Sequence, residues 1–235
     1  MSARLWLGCG IVAGPLFVAA FVVHGAVLDG YSPVRHPVSS LALSPAGWVQ
    51  SVNFIVCGLL AAAFAVGLRT AARGSNWGPL LIGVWGLSLV AAGVFVTDPV
   101  SGYPAGTPLA QGPYTTAGFL HDLAALVTLV TLPVACLVLA RRFPRRGWTV
   151  YSVVTAVVFP AFWIMAGLGF GQDPNLTDLA GLFQRTGIVV AWAWITVLAL
   201  TEKRAGERPT ASPGSMSQAQ TPPPRHTGGT REQDG

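Results

Sequence analysis

The sequence predicts an all-α fold: an integral membrane bundle of six transmembrane helices, with both termini cytoplasmic and a disordered C-terminal tail. Three observations predict it. Of 235 residues, 52% are hydrophobic and 10% are charged, too little polar surface for a soluble domain of that length. The apolar residues gather into six runs, each near the ~20 residues that cross a hydrocarbon core roughly 30 Å thick. The basic residues cluster in alternate connections between those runs, which is the pattern of membrane orientation. A net charge of +5 arranged this way argues against a nucleic-acid partner, because no continuous phosphate-binding face results.

The spans are expected at Leu5–Val27, Val49–Leu68, Trp77–Val96, Phe119–Ala140, Trp148–Leu168 and Gly181–Leu200. They form one membrane domain over residues 1–204, followed by a tail over 205–235. The first span is no cleaved signal peptide, since its apolar run is too long and lacks an A-x-A exit. Arg4, the Arg69/Arg73 pair, the cluster Arg141, Arg142, Arg145 and Arg146, and the basic residues of the tail all lie on one side. The other side holds Arg35 and Arg185. The excess of positive charge places the first side in the cytoplasm of a cell membrane, and turns loops 28–48, 97–118 and 169–180 outward.

Local signals punctuate these spans. Ser44-Pro45 reads as an N-cap with proline at the first helical position of the second span, and Asp173-Pro174 reads the same way before the sixth. Trp6, Trp48, Trp77 and Trp148 sit at span ends, where indole favours the interface. Gly10 with Gly14, and Gly58 with Ala62, have the small-xxx-small spacing that lets helices approach closely. Pro133 and Pro160 are expected to kink the fourth and fifth spans. Past Leu200 the chain turns to Pro, Ser, Thr, Gly and Gln with almost nothing apolar to bury, which is the composition of a disordered tail.

The polar residues are concentrated at the outer ends of the spans. The first outer loop holds Arg35, His36, Ser39 and Ser40. Gln50 and Asn53, three residues apart, share a helix face at the start of the second span. Asp98 ends the third, His121 and Asp122 enter the fourth, and Gln184 and Arg185 lie inside the start of the sixth. Ionisable groups at membrane depth normally face a bundle interior or a wet cavity, so these eleven residues form the candidate pocket, with loop 28–48 as its lid. Residues at span ends also reach water by themselves, which is the plain alternative for Asp98 and His121. Arg185 and Asp122 lie deeper, where an unpaired charge costs roughly 2–3 kcal/mol. They are expected to pair with each other, or through Asp98 or Asp178.

Cys9, Cys57 and Cys136 lie in three separate spans with no CxxC or Cys/His spacing, and read as small buried hydrophobes. Histidines and aspartates on one side could hold a metal that activates water. However, no H-E-x-x-H occurs and the ligands would come from different spans, so no metal is assigned and the cofactor is left unknown. Ser39 and Ser40 beside His36 invite a nucleophile, although a proline-bounded serine loop is more often a turn. No G-x-S-x-G, P-loop or dinucleotide motif is present.

Several stretches have a familial look: Arg35-His-Pro-Val-Ser-Ser-Leu-Ala-Leu43 followed by Gly47-Trp-Val-Gln50, Phe119-Leu-His-Asp122, Leu132-Pro133 with Arg141-Arg142-Phe143, and Gly181-Leu-Phe-Gln-Arg185. They resemble the bacterial and archaeal membrane family catalogued as domain of unknown function 998, over roughly residues 5–203. The resemblance implies a six-helix integral membrane protein. It also implies that His36, Ser39, Ser40, Gln50, Asn53, His121, Asp122, Gln184 and Arg185 stand at the family's polar motif positions. It supplies no reaction. Three readings follow: a pocket for a small molecule or lipid headgroup, a lipid-processing hydrolase using His36, His121 and Asp122, or a structural protein of envelope assembly. The lipid bilayer is a partner in all three.

Overall fold

The computed structural model describes residues 3–71, 76–143 and 145–205. Six long helices account for most of them: α1 (Ala3–Ala26), α2 (Trp48–Ala71), α3 (Trp77–Val94), α4 (Thr116–Arg142), α5 (Arg146–Phe170) and α6 (Ala180–Ala205). All six are long and apolar enough to cross a membrane. The expected spans are recovered to within a few residues at most ends. Ala205 closes α6, and the rest of the expected tail, 206–235, lies outside the described residues, as does Arg73. No strand forms among the described residues beyond a single bridge between Val100 and Tyr103.

Each helix packs against its neighbours in sequence, and α1 packs against α6, so the six close into a ring. Apolar side chains cover the outside: Val12, Val22, Leu59, Leu87, Val130, Val157 and Ile164 are all exposed. For a soluble protein such a surface would aggregate; against lipid tails it is the expected solvent face. The inside holds the aromatics. Trp85 and Trp192 meet edge to face at 4.7 Å, and Phe17 lies 5.5 Å from Trp192.

Hydrophobic force does not drive helices together in lipid, so the ring depends on close packing and interhelical hydrogen bonds. A Cβ built on Gly58 would lie 2.5 Å from the Gly86 carbonyl oxygen, and one on Gly86 would lie 2.7 Å from that of Gly58. The α2–α3 crossing therefore tolerates nothing larger than glycine at either point. Gly10 and Gly14 serve α1 in the same way, against Phe64 and Ala199, and against Thr196 and Trp192. Polar links add to this: Ser88 Oγ to Thr128 Oγ1 at 2.8 Å joins α3 to α4, and Trp194 Nε1 donates to Ser152 Oγ at 3.0 Å between α6 and α5.

Two of the sequence expectations about helix entry need correction. Ser44 does not cap α2. Its Oγ donates back to the Leu41 carbonyl at 2.8 Å, closing a 3₁₀ turn over Ser39–Leu43, and Pro45 enters a separate turn before α2 begins at Trp48. Asp173 does accept a backbone N–H, from Asn175 at 2.9 Å, but this caps a turn that leads through a 3₁₀ segment, Thr177–Leu179, into α6. In both places a loop with its own hydrogen bonds intervenes between cap and helix. Pro133 and Pro160 lie within continuous helices, as does Pro15.

Gly86→Leu is expected to destabilise the detergent-solubilised protein by about 2 kcal/mol or more through overpacking at the α2–α3 crossing. Gly8→Ala, where an added Cβ meets nothing within 4 Å, should leave the melting temperature unchanged or slightly raised. Equal melting temperatures for the two variants would contradict the close approach.

Candidate functional site

The end of the ring opposite the start of α1 and the end of α6 carries most of the buried polar groups, and they separate into a latch and a cavity. The latch centres on Arg185, in the second turn of α6. Its Nη1 donates to the carbonyls of His36 at 2.9 Å and Gly181 at 3.0 Å, and its Nη2 donates to the Tyr31 hydroxyl. The guanidinium also lies 5.6 Å from the centre of the Tyr31 ring and 5.8 Å from that of Phe21. Tyr31 in turn donates to the Pro37 carbonyl at 2.8 Å. Burial pushes the Tyr31 phenol up to about 12, against the opposing pull of Arg185, so it remains a neutral hydroxyl that accepts from the cation and donates onward.

Loop 31–38 is thereby pinned to the start of α6. The Leu182 N–H donates to the Val34 carbonyl at 2.9 Å, satisfying one of the helix's unpaired first-turn donors, and Val38 N–H donates to Gln184 Oε1 at 2.7 Å. Gly181 permits this contact: a Cβ there would lie 2.6 Å from the His36 carbonyl oxygen. The loop between α3 and α4 folds over the first loop, with Tyr103 5.2 Å from Tyr31 and 5.3 Å from His36 between ring centres.

The expected pairing of Arg185 with Asp122, or with Asp98 or Asp178, does not form. Arg185 meets neutral oxygens, Asp178 sits 3.9 Å from Arg35, and Asp122 Oδ2 accepts from Gln111 Nε2 at 3.4 Å. Carbonyls already converge where α6 begins, so the guanidinium is solvated without burying a carboxylate beside it. Asp98 is structural. Its carboxylate accepts from the Thr115 N–H at 2.9 Å and hydroxyl at 2.7 Å, and Thr115 caps α4 by accepting from Gly118 N–H at 3.0 Å. A negative charge at that N-terminus also opposes the helix dipole favourably.

His36 belongs to the latch as well. Its Nδ1 accepts the Ser32 N–H at 2.9 Å. Burial and the Arg35 charge lower its pKa, opposed by a hydrogen bond with the Ser101 backbone, with Arg185 adding to the lowering. Gln50 and Asn53 do share a buried face, as expected. Asn53 Nδ2 donates to the Phe17 carbonyl at 3.2 Å, tying α2 to α1, while Gln50 Nε2 and Ser40 Oγ are buried without a partner among the described residues.

The cavity takes the remaining four candidates: Ser39, His121, Asp122 and Gln184. A space of about 360 Å³ lies between α4 and α5 beneath the loops, where Gln111, Thr97 and Trp163 join these four. Its rim includes Leu126, 53% exposed, and Gly167, where a Cβ would meet nothing within 4 Å. It thus opens through the outer face of the ring. A deeper chamber of about 50 Å³, lined from all six helices, shares Ser39, His121, Ala125, Trp163 and Gln184 in its wall. His36 lines neither space, so the expected grouping of His36, His121 and Asp122 in one acid–base site is not formed. Among the described residues no three His, Cys, Asp or Glu side chains converge as a metal-binding group.

Gln111, Thr97 and Trp163 escaped the sequence reading, because loop and mid-helix positions carry no periodic signal that points inward. Tyr31, the partner of Arg185, was equally hidden: 154 residues separate them.

A closed ring of six helices with apolar outer faces and a capped, partly polar cavity at one end defines a polytopic helical membrane protein. The chain belongs to the family described as Protein of unknown function (DUF998), whose profile matches residues 11–201. No curated protein and no solved structure matches it.

A double-mutant cycle of Tyr31→Phe and Arg185→Gln should give a coupling of about 1 kcal/mol or more, whereas Asp122→Asn combined with Arg185→Gln should be additive. The latch should also weaken in acid. Because folding lowers the His36 pKa, the unfolded chain binds the extra proton; stability is full above the ordinary value of 6.5 and falls as pH drops below it. His36→Gln is expected to remove part of the fall in melting temperature between about pH 7.5 and pH 5. An unchanged pH profile would show that His36 contributes nothing to it.

Proposed function

We propose that this protein binds an amphiphile of the surrounding membrane, whose headgroup enters the polar cavity and whose chain leaves between α4 and α5. The observation that carries the reading is the mixed composition of the cavity's wall. Ser39, Gln111, His121, Asp122 and Gln184 line the same space as Leu126, Leu129 and Phe170. A water-soluble ligand has no use for a rim of exposed leucine facing lipid, while an amphiphile needs both. The volume suits it, since ligand pockets run from about 300 to 1,000 Å³.

The distribution of charge supports an orientation. Arg4, Arg69, Arg141, Arg142, Arg145 and Arg146 all stand at the end that carries the termini, which favours that end in the cytoplasm and the cavity on the outward side of a bacterial cell membrane. The latched loops then lie over the headgroup and shield it from outside water.

The test is photo-crosslinking of the full chain, reconstituted in vesicles, with a diacylglycerol carrying a diazirine near the end of one chain. Saturable labelling should concentrate on the facing sides of α4 and α5. Ala125→Phe, which fills the wall between cavity and chamber, should lower that labelling about tenfold, equivalent to ~1.4 kcal/mol of binding. Labelling spread evenly around the ring and indifferent to Ala125→Phe would overturn the reading.

A further inference from the structure

We infer that the headgroup this cavity selects is uncharged and polyhydroxylated, a sugar or similar polyol, and not a phosphate. The inference rests on the amphiphile reading above and specifies its ligand. It starts from the tautomer of His121. The Nδ1 of that ring lies 2.9 Å from the Ala92 carbonyl oxygen and 2.8 Å from that of Phe95, both at the end of α3. Two acceptors at that distance require a proton on Nδ1, and in the neutral ring Nε2 then carries the lone pair. That lone pair has no partner among the described residues, and the ring lines both the cavity and the deeper chamber. A ligand therefore has to bring His121 a donor.

The adjacent groups extend the pattern. The Asp122 carboxylate, approached by the Gln111 amide and the Tyr114 hydroxyl, is a second acceptor in the same wall. Gln184 faces the other way chemically. Its Oε1 is occupied by the Val38 N–H, which leaves the Nε2 donor for the space it lines. Deeper still, Trp85 is 2% exposed and its Nε1–H has no acceptor among the described residues, although the residue lines the chamber. Acceptors and donors thus occur together in the walls of the two spaces. A hydroxyl is both donor and acceptor, and several on one ring satisfy such a surface together. Trp163, in the walls of both spaces, offers an aromatic face for the C–H side of a sugar ring.

A phosphate fits poorly. Its ionised oxygens are acceptors, so they would confront the Asp122 carboxylate and, on the neutral ring, the His121 lone pair. Sites built for phosphate supply Arg or Lys. Among the described residues neither type lines the cavity or the chamber, and Arg185 is held by Tyr31 and two carbonyls outside both. A quaternary ammonium would answer Asp122 but leave His121 and the amide donors without partners.

The experiment is competition against the photo-crosslinking diacylglycerol by three amphiphiles with the same dodecyl chain, a β-glucoside, a phosphate and a trimethylammonium, each below its critical micelle concentration. The glucoside should displace the probe at a concentration at least about tenfold below the other two. His121→Asn keeps a donor where Nδ1 stands and removes the Nε2 acceptor; Asp122→Asn removes the charge. Each should cut the glucoside's advantage about threefold or more while the probe still labels α4 and α5. If the phosphate or the ammonium competes as well as the glucoside, or the advantage survives both substitutions, the headgroup assignment fails and the amphiphile reading stands. If no dodecyl compound competes and labelling is even around the ring, the amphiphile reading itself fails.

Discussion

A guanidinium one to two turns inside a membrane helix has to be surrounded by oxygen, and most of the architecture at this end of the protein follows from how Arg185 is supplied. Water cannot reach it freely and no carboxylate is brought to it. It receives instead the carbonyls of His36 and Gly181 and the hydroxyl of Tyr31. Carbonyl and phenol oxygens stabilise the cation without adding a second buried charge, whose desolvation would cost several kcal/mol. Two of those three oxygens belong to the loop between α1 and α2. Solvating the arginine therefore also folds the loop, and the loop cannot leave without exposing the arginine.

That arrangement decides the chemistry of the neighbouring cavity. Because Arg185 faces the loop, it is withdrawn from the space between α4 and α5. Gln184, one residue earlier, contributes to both: its carbonyl oxygen holds Val38, and the remainder of its amide lines the cavity. His121 plays a similar double part on α4. One ring nitrogen is fastened to the end of α3, and the ring lines both the cavity and the deeper chamber. Rigid attachment on one side of a side chain is what makes the free side selective, since a ring that could rotate would satisfy donors and acceptors alike.

The six spans were plain from the sequence because burial in lipid imposes one requirement on every residue of a span, and that requirement is local. The polar candidates were also found, since a buried histidine, aspartate or arginine is conspicuous among leucine and valine. What the sequence could not do was sort them. Asp98 and Asp122 look alike beside a helix end, yet one caps α4 through Thr115 and the other faces the cavity. His36 and His121 look alike as well. One is closed inside a latch with Tyr31 and Tyr103, and the other is fastened to the end of α3 and lines the cavity. Ser44-Pro45 misled because a short side chain can bond backward as easily as forward.

By itself the sequence determined a six-span helical membrane protein, the helix limits to within a few residues, and the end of the bundle where buried polarity collects. Hydrophobic run length and charge placement are properties of contiguous residues, so they survive without a fold. Only the tertiary structure decided that the helices close into a ring, that Arg185 meets Tyr31 across 154 residues and not an aspartate, and that Ser39, His121, Asp122 and Gln184 share one cavity. Those facts depend on which helix lies beside which and on how each is rotated, and in lipid that is set by glycine contacts and single hydrogen bonds that leave no periodic trace in the chain.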